Sequence, residues 1–165
     1  MRKLTILVDM DGTIESLLDV WLNRLNKKYN RNVKFEDITS WDISKLYDGL
    51  SQTDVMNEVL DDSIWQEVQP INGAYNVLKK WIAEGHHVYI VTATPYQSLK
   101  AKMDDLLFRC FPFISWENVI ITSNKQLLKC DVMIDDGIHN LIGGEYKKIL
   151  FDAPYNRSFD DKNQV

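Results

Sequence analysis

Leu4-Thr5-Ile6-Leu7-Val8-Asp9-Met10-Asp11-Gly12-Thr13 is the stretch that decides the fold of this chain. An apolar run rich in β-branched residues is typical of a buried strand, and here it stops at two aspartates and a glycine. Because side chains at positions i and i+2 share one face of an extended backbone, Asp9 and Asp11 should leave the strand in the same direction. Two close carboxylates repel each other unless a cation or a proton lies between them. The pair therefore predicts a divalent metal site, and oxygen ligands suit Mg²⁺.

Two other interpretations of this stretch compete with a metal-dependent active site. A calcium-binding loop needs a glutamate at its twelfth position, and counting from Asp9 that position is Val20, so this interpretation fails. A plain turn after a strand stays open, because Asp and Gly are common turn residues.

The composition limits the function classes that the chain can serve. Its 165 residues predict one domain, or one domain with a modest insertion, and a hydrophobic share of 45% is enough for a folded core. The net charge of -5 and the lack of a long basic run argue against binding a nucleic acid polymer. No apolar stretch reaches about 18 residues, which argues against a membrane span.

The cysteines and the N-terminus predict a cytoplasmic protein. Cys110 and Cys130 lack the spacing of metal ligands and are expected to be reduced thiols. The opening apolar run is too short for the core of a signal peptide, because Asp9 interrupts it.

Hydrophobic periodicity predicts alternating strands and helices. After the opening run, strands are expected at His87–Thr92, Val119–Thr122, Val132–Ile134 and Ile149–Phe151. Helices are expected at Ser16–Tyr29, Thr53–Leu60, Asn72–Glu84 (ended by Gly85), Ser98–Phe108 and, at most as a short turn, Gln126–Leu128. This order favours an α/β fold with a parallel sheet covered on both faces. Residues 15–71 interrupt the rhythm and are interpreted as a small helical cap inserted after the first strand, so residues 1–14 and 72–165 form the core domain.

Polar residues follow three further strands in the chain. Thr92-Ala93-Thr94-Pro95 places a hydroxyl and backbone N–H groups where they can bind a phosphate. Lys125 follows the next strand, and Asp135 and Asp136 end the one after it. Each feature alone has an ordinary explanation, as a turn or as a solvated lysine. Together they would place acids, a lysine and a hydroxyl at one edge of the sheet.

These motifs resemble the haloacid dehalogenase (HAD) superfamily of phosphatases. The superfamily pattern is matched by Asp9, Asp11, Gly12 and Thr13, then by Thr92, Lys125, Asp135 and Asp136. The chain is most similar to the 5′(3′)-deoxyribonucleotidase family within it. That narrower similarity rests on the cap after the first motif, the Thr92–Pro95 turn, the ten-residue step from Lys125 to Asp135, and Pro154-Tyr155-Asn156-Arg157. The resemblance implies a three-layer, Rossmann-like core with a parallel sheet, and a homodimer.

The resemblance also implies the roles of the site residues. Asp9 is the nucleophile, which forms a phospho-aspartate, and Asp11 is the general acid and then the general base. Mg²⁺ is held by Asp9, by the backbone carbonyl of Asp11 and by Asp135. The phosphoryl oxygens are held by Thr92, the Ala93 N–H and Lys125. Of the two adjacent acids, the one that does not bind the metal, Asp136, is placed to orient a water or the lysine. Because Asp11 must start protonated, its pKa is expected to be raised by the nearby Asp9.

The chain departs from the family pattern at two places. Ala93 stands where relatives often carry a serine, and Thr94 is expected to compensate for the lost hydroxyl. Gly137-Ile138 stands where some relatives place an arginine.

The cap is expected to select the substrate. Phe35, Trp41 and Tyr47 are candidates to stack on a nucleobase, with Trp41 favoured because polar residues surround it. The alternative is that these aromatics form only the small core of the cap.

The leading hypothesis is a Mg²⁺-dependent phosphatase of deoxyribonucleoside monophosphates, acting in the cytoplasm on a small molecule. One alternative keeps the chemistry but changes the substrate to another small phosphometabolite, such as a sugar phosphate. The other is a non-catalytic module that binds nucleotides or phosphate.

Overall fold

A five-stranded parallel sheet lies at the centre of the molecule. The computed structural model describes residues 2–157. The strands are β1 (Thr5–Asp9), β2 (His87–Thr92), β3 (Val119–Ile121), β4 (Val132–Asp135) and β5 (Lys147–Leu150). Their order is β3-β2-β1-β4-β5, and every neighbouring pair is parallel. The predicted α/β class is confirmed, although residues 158–165 of the predicted core domain lie outside the described part.

The position of β1 at the centre of the sheet explains why its residues before Asp9 are mostly apolar. Ile6 and Val8 pack into the larger core cluster on one face of the sheet, while Leu7 packs with Val91 and Met133 on the other. A strand buried on both faces reads as a continuous apolar run rather than an alternating one. From β1 the chain adds β2 and β3 on one side and β4 and β5 on the other, so the direction of strand addition reverses beside β1. In open parallel sheets, ligands bind at this switch point, beyond the carboxyl ends of the strands.

Among residues 2–157, seven α-helical segments and several short 3₁₀ helices connect or follow the strands. The helices are α1 (Leu17–Tyr29), α2 (Gln52–Met56), α3 (Ile64–Glu67), α4 (Ala74–Ala83), α5 (Leu99–Ala101), α6 (Phe108–Cys110) and α7 (Ile138–Leu141). A π-helical stretch at Lys102–Leu107 joins α5 to α6. The 3₁₀ helices are Phe35–Asp37, Ile43–Leu46, Tyr96–Ser98, Trp116–Asn118, Lys125–Leu127 and Pro154–Asn156.

The predicted helices are found near their expected places, with shifted ends. The helix expected from Thr53 begins at Gln52, because the Ser51 hydroxyl accepts the backbone N–H of Asp54 and caps it. Gly85 follows α4 with a φ of 82°, so the prediction that a glycine ends this helix is correct. No helix within residues 2–157 is long and apolar enough to cross a membrane.

The two faces of the sheet are covered unequally. The larger cluster includes residues of α3 and α4 and of the helical run from α5 to α6. The other face is covered by α7, Tyr146 and loop residues such as Leu128. This second layer is thinner than the sequence pattern predicts, because α7 has only four residues.

The segment of residues 15–71 leaves and rejoins the core at one point. The Ser16 N–H donates to the Gln69 carbonyl at 3.0 Å, and the Ile71 N–H donates to the Ile14 carbonyl at 2.9 Å. Its middle has a cluster of its own, made by Leu22, Leu25, Ile38, Ile43, Tyr47 and Val55. Its last part packs into the main core through Ile64 and Trp65. The domain boundaries and the role of this segment as a cap stay predictions.

Candidate active site

Three carboxylates meet at the carboxyl end of the sheet. Asp9 ends β1 and Asp135 ends β4, with Asp136 directly after it. One oxygen from each lies within 4.8 Å of the others, and none of the three residues is more than 5% exposed. The structure thus brings together acids that are more than 120 residues apart in the chain.

Lys125 lies between two of these acids. It begins the 3₁₀ helix after β3 and is 2% exposed, so it is not the solvated loop lysine of the alternative interpretation. Its ammonium donates to Asp9 Oδ1, and to Asp135 Oδ2 at 2.6 Å. Burial by itself lowers the pKa of Lys125, but Asp9 and Asp135 outweigh it and leave this pKa raised. Lys125 therefore stays charged beside the nucleophile candidate.

The second oxygen of Asp135 is held by the residues that follow it. Asp135 Oδ1 accepts the Gly137 N–H at 2.8 Å and the Asn140 side-chain amide at 2.9 Å. A Cβ on residue 137 would lie 2.8 Å from Asn140 Nδ2 and 3.1 Å from Asp135 Oδ1. A side chain at this position would have to displace the Asn140 and His139 side chains that pack around the carboxylate, which gives a local reason for the departure at Gly137.

Asp136 is bound from the far end of the described chain. The Tyr155 hydroxyl donates to Asp136 Oδ2, and the Asn156 side chain donates to its backbone carbonyl at 2.9 Å. Burial raises the pKa of Asp136 to about 6, although the hydrogen bond from Tyr155 opposes the rise. Gly12 has a φ of 75°, and a Cβ there would collide with the Asp136 carboxylate. The glycine of the first motif therefore lets the two motifs approach.

The fourth carboxyl group of the site, Asp11, is paired with a lysine that the sequence analysis did not single out. Lys102 is 1% exposed and donates to Asp11 Oδ2 at 2.5 Å and to Thr92 Oγ1 at 2.9 Å. A signal was available, because Lys102 falls at helical spacing among Leu99, Met103 and Leu106. A lysine on an apolar helix face requires a buried partner.

The pKa expected for Asp11 is wrong in direction. Burial raises the pKa of Asp11, but the Lys102 ammonium and the neighbouring Glu15 carboxyl offset this and leave it lowered. Glu15 is fully buried, and burial together with the contact to Asp11 raises its pKa well above its usual range. The proton of this carboxyl pair is therefore held by Glu15. The turn at Gly12, whose N–H donates to the Glu15 carbonyl at 3.0 Å, brings the second carboxyl back to the first.

The pKa of Asp9, the nucleophile candidate, is shifted in the opposite direction to that of Asp11. Burial raises the pKa of Asp9 well above its usual range, and Lys125 only partly offsets it. An additional positive charge is needed to keep this carboxyl ionised, since a bound cation favours the charged form.

The loop after β2 places the predicted phosphate-binding residues beside these groups. Thr92 is fully buried at the end of the strand, and its Oγ1 lies 3.3 Å from Thr94 Oγ1. Ala93, between them, is exposed. That the Thr94 hydroxyl compensates for the alanine stays a prediction.

The three candidate aromatic residues have different surroundings. Trp41 is 56% exposed and meets the His139 ring edge to face, with 5.5 Å between ring centroids. Phe35 is 38% exposed. Tyr47 is fully buried in the core of the inserted segment, where its hydroxyl lies 3.2 Å from Asn26 Oδ1. The prediction that Tyr47 stacks on a nucleobase is therefore wrong, because no face of its ring is free.

The charges of the site fit a divalent cation. Within the described part of the chain, the site has more carboxyl groups than ammonium groups. The ammonium groups are those of Lys102 and Lys125, and the carboxyl groups near them are those of Asp9, Asp11, Glu15, Asp135 and Asp136. The donor set of Asp9, Asp135 and Asp136 consists of hard carboxylate oxygens, without sulfur or imidazole. Such ligands are preferred by Mg²⁺ and similar ions.

The parallel sheet, the acids at its carboxyl edge and the buried lysine define the class of protein as a HAD-like hydrolase. A haloacid dehalogenase-like hydrolase from Streptococcus pneumoniae has the same fold, with a TM-score of 0.62 over 90% of this chain and 84% of that one, at 14% identity. The family described as "5' nucleotidase, deoxy (Pyrimidine), cytosolic type C protein" matches residues 2–165, and the chain belongs to this family.

Relatives support the same assignment over nearly the whole chain. A protein of Bacillus subtilis (strain 168) named 5'(3')-deoxyribonucleotidase is 41% identical over 161 residues, which are 94% of this chain and 89% of the relative. A protein of the same name from Clostridium acetobutylicum is 34% identical, over 96% of this chain and 87% of that one. The chain is thus a phosphoric monoester hydrolase of the 5′-nucleotidase type.

Proposed function

We propose that this enzyme removes the phosphate from deoxyribonucleoside monophosphates in a Mg²⁺-dependent reaction that passes through a phosphorylated Asp9. The observation that carries the proposal is the convergence of Asp9, Asp135 and Asp136 within 4.8 Å, with the Lys125 ammonium between Asp9 and Asp135. The names of the relatives from Bacillus subtilis and Clostridium acetobutylicum support the deoxyribonucleotide as substrate.

In the first step a carboxylate oxygen of Asp9 attacks phosphorus, and the bond from phosphorus to the ester oxygen of the nucleoside breaks. The leaving oxygen takes its proton from the Asp11–Glu15 pair, through Asp11. Splitting the displacement into two steps lowers each barrier. In the second step the same pair accepts a proton from a water molecule whose oxygen attacks phosphorus, and the bond from phosphorus to the Asp9 oxygen breaks, which releases phosphate and regenerates the Asp9 carboxylate.

The remaining groups bind the phosphoryl oxygens and hold the metal. Lys125, the Thr92 hydroxyl and the Ala93 N–H bind the oxygens, where fixed donors stabilise the charge of the transition state. Asp9, the Asp11 carbonyl and Asp135 would hold Mg²⁺, and the position of the Asp136 carboxylate supports adding it to this set. The ion would supply positive charge that offsets the repulsion between the phosphate dianion and the attacking carboxylate.

Trp41 is the residue that we propose to stack on the nucleobase. It belongs to the inserted segment, and its ring contacts His139 of α7, the helix that follows Asp135 and Asp136. Its exposed ring leaves a face for a base, and stacking on an aromatic side chain is worth about 1–3 kcal/mol per base. Phe35 is a second candidate, because its side chain is partly exposed. A cytoplasmic location and a homodimer stay predictions.

The reaction is tested by phosphate release from deoxyribonucleoside monophosphates, ribonucleoside monophosphates and sugar phosphates, with Mg²⁺ and with a chelator. Asp9→Asn should lower turnover by about 10³-fold or more, because it removes the nucleophile. The matched control is Asp131→Asn, at the amino end of β4, where the side chain accepts the Thr5 N–H at 2.8 Å. It should keep its turnover. Full activity of Asp9→Asn would disprove the covalent mechanism.

The substrate is tested with Trp41→Ala against Trp116→Ala, since Trp116 is equally exposed at 55% but precedes the amino end of β3. Trp41→Ala should raise the KM for deoxyribonucleotides by about tenfold or more, from the loss of stacking. Its turnover of a sugar phosphate should stay unchanged, and so should both activities of Trp116→Ala. A preference of the parent enzyme for sugar phosphates would favour the alternative substrate.

A further inference from the structure

A buried tryptophan of the inserted segment lies against Lys102, the lysine that binds Asp11. Trp65 belongs to α3 and is 1% exposed, and the Lys102 ammonium lies 5.0 Å from the centroid of its ring. This distance is within the range of a cation–π contact. Nothing in the mechanism above uses Trp65.

The Lys102 ammonium has three N–H donors and is fully buried. Two of its contacts are to Asp11 Oδ2 and Thr92 Oγ1. Asp11 lies two residues after β1, and Thr92 ends β2. The ring of Trp65 supplies a third favourable contact where water has little access. An ammonium held on three sides has little freedom to turn away, so it keeps the acid–base carboxyl and the phosphate-binding hydroxyl at a fixed separation.

The local backbone also fits this role. Lys102 is the first residue of the π-helical stretch between α5 and α6, and short π-helical segments are frequent at functional sites. Trp65 reaches the core from α3, at the end of the inserted segment. The inserted segment and the core helix therefore share a charged contact at the lysine that binds Asp11.

We propose that Trp65 is a positioning residue for catalysis, which acts through Lys102 on Asp11 and Thr92. The inference rests on the proposed function, because it assigns Asp11 to proton transfer and Thr92 to the phosphate. In this arrangement the inserted segment contributes to the chemistry itself, in addition to the substrate surface at Trp41.

A purely structural role is the competing explanation, since Trp65 also packs in the main core. A double-mutant cycle separates the two roles, because a residue that acts through Lys102 loses its effect when Lys102 is absent. The variants are Trp65→Leu, Trp65→Phe, Lys102→Met and the double variant Trp65→Leu/Lys102→Met. The matched control is Phe111→Leu, because Phe111 is fully buried in the same cluster and packs on Tyr75 and Phe113.

The first readout is kcat for a deoxyribonucleotide at a temperature where each variant is folded. Trp65→Leu should lower kcat by about tenfold, from the loss of a cation–π contact, while Trp65→Phe should recover most of it. In the Lys102→Met background, Trp65→Leu should change kcat by less than about twofold. Phe111→Leu should leave kcat near that of the parent. An equal loss of kcat from Trp65→Leu in both backgrounds would overturn the proposal.

The second readout is urea unfolding of the same variants, which needs no turnover. If the ring stabilises the ammonium, the losses of stability from Trp65→Leu and Lys102→Met are not additive. Additive losses would overturn the contact, whatever the enzyme hydrolyses. Non-additive losses together with no phosphate release from any nucleotide would instead refute the proposed function and leave the contact in place. If Trp65→Leu does not fold, the same cycle is measured with Trp65→Phe, for which a smaller effect that vanishes with Lys102→Met is expected.

Discussion

Replacing Asp136 by asparagine is expected to stabilise the protein when divalent cations are removed. Asp136 is 5% exposed, and it shares its surroundings with the carboxylates of Asp9 and Asp135. Without a cation, these charges repel each other in a site that excludes water. Asparagine keeps the shape of the side chain and can still accept the hydrogen bond from Tyr155, but it removes one charge.

The size of the effect follows from the pKa of Asp136. Burial raises it from 3.8 to about 6 in the folded protein. Because the folded state binds this proton more tightly than the unfolded state, stability falls as the pH rises from about 4 to about 6. The gap corresponds to an upper limit of about 3 kcal/mol at neutral pH, since one pKa unit is 1.36 kcal/mol. Asp136→Asn should recover a part of this, on the order of 1–2 kcal/mol.

Urea unfolding at pH 7 and at pH 4, each with EDTA and with Mg²⁺, measures this effect. The gain in stability from Asp136→Asn should appear at pH 7 in EDTA and shrink at pH 4, where the aspartate of the parent is largely protonated in the folded protein. It should also shrink with Mg²⁺, because the cation stabilises the parent more than the variant. Asp131→Asn serves again as the control. A loss of stability on Asp136→Asn at pH 7 in EDTA would refute this account of the site's charges.

Three further changes test the contacts around this carboxylate. Gly12→Ala should lose most activity and about 1–3 kcal/mol of stability, because residue 12 has a φ of 75° and a Cβ would strike the Asp136 carboxylate. Normal kinetics and normal thermal unfolding of this variant would contradict the prediction. Tyr155→Phe should shift Mg²⁺ activation to higher pH, because the Tyr155 hydroxyl lowers the pKa of Asp136. The Mg²⁺ concentration for half activity, measured at several pH values, tests this, and an unchanged pH dependence would count against the contact. Asn156→Ala should lower the free energy of unfolding in urea by about 1–3 kcal/mol, because it leaves the Ala153 N–H and the Phe151 and Asp136 carbonyls without this partner. A loss below about 0.5 kcal/mol would show that these groups find other partners.

Much of the fold could be predicted because its strands are buried on both faces. The stretches Val88–Val91 and Val132–Ile134 are largely apolar and each is followed by a polar residue, so both the strands and their carboxyl ends are visible in the sequence. The edge strand β5 was less visible, because Lys147 and Lys148 begin it, and it was expected only from Ile149. The thin second layer was missed because a pattern of apolar positions does not report how long a covering helix is.

The site could be predicted where a polar residue ends a strand, as with Asp9, Thr92 and Asp135. Lys102 and Glu15 were missed because a helical lysine and a glutamate in a turn are ordinary in sequence, and only packing makes them buried. Tyr47 was wrongly placed for the converse reason. An aromatic ring in this segment can either pack in a small core or stack on a nucleobase. The contact between the Tyr47 hydroxyl and Asn26 belongs to the first role.

The sequence by itself determined the parallel sheet and the edge at which its acids gather, since a parallel strand that ends in a carboxylate delivers it to the same edge as its neighbours. Only the tertiary structure decided which carboxyl holds the proton. That choice depends on distances of a few ångströms between charged groups removed from water: Lys102 keeps Asp11 ionised, and Glu15 lies beside it with no cation of its own among the described contacts. Such distances come from the packing of α3, the π-helical stretch and the turn at Gly12, and no local pattern encodes them.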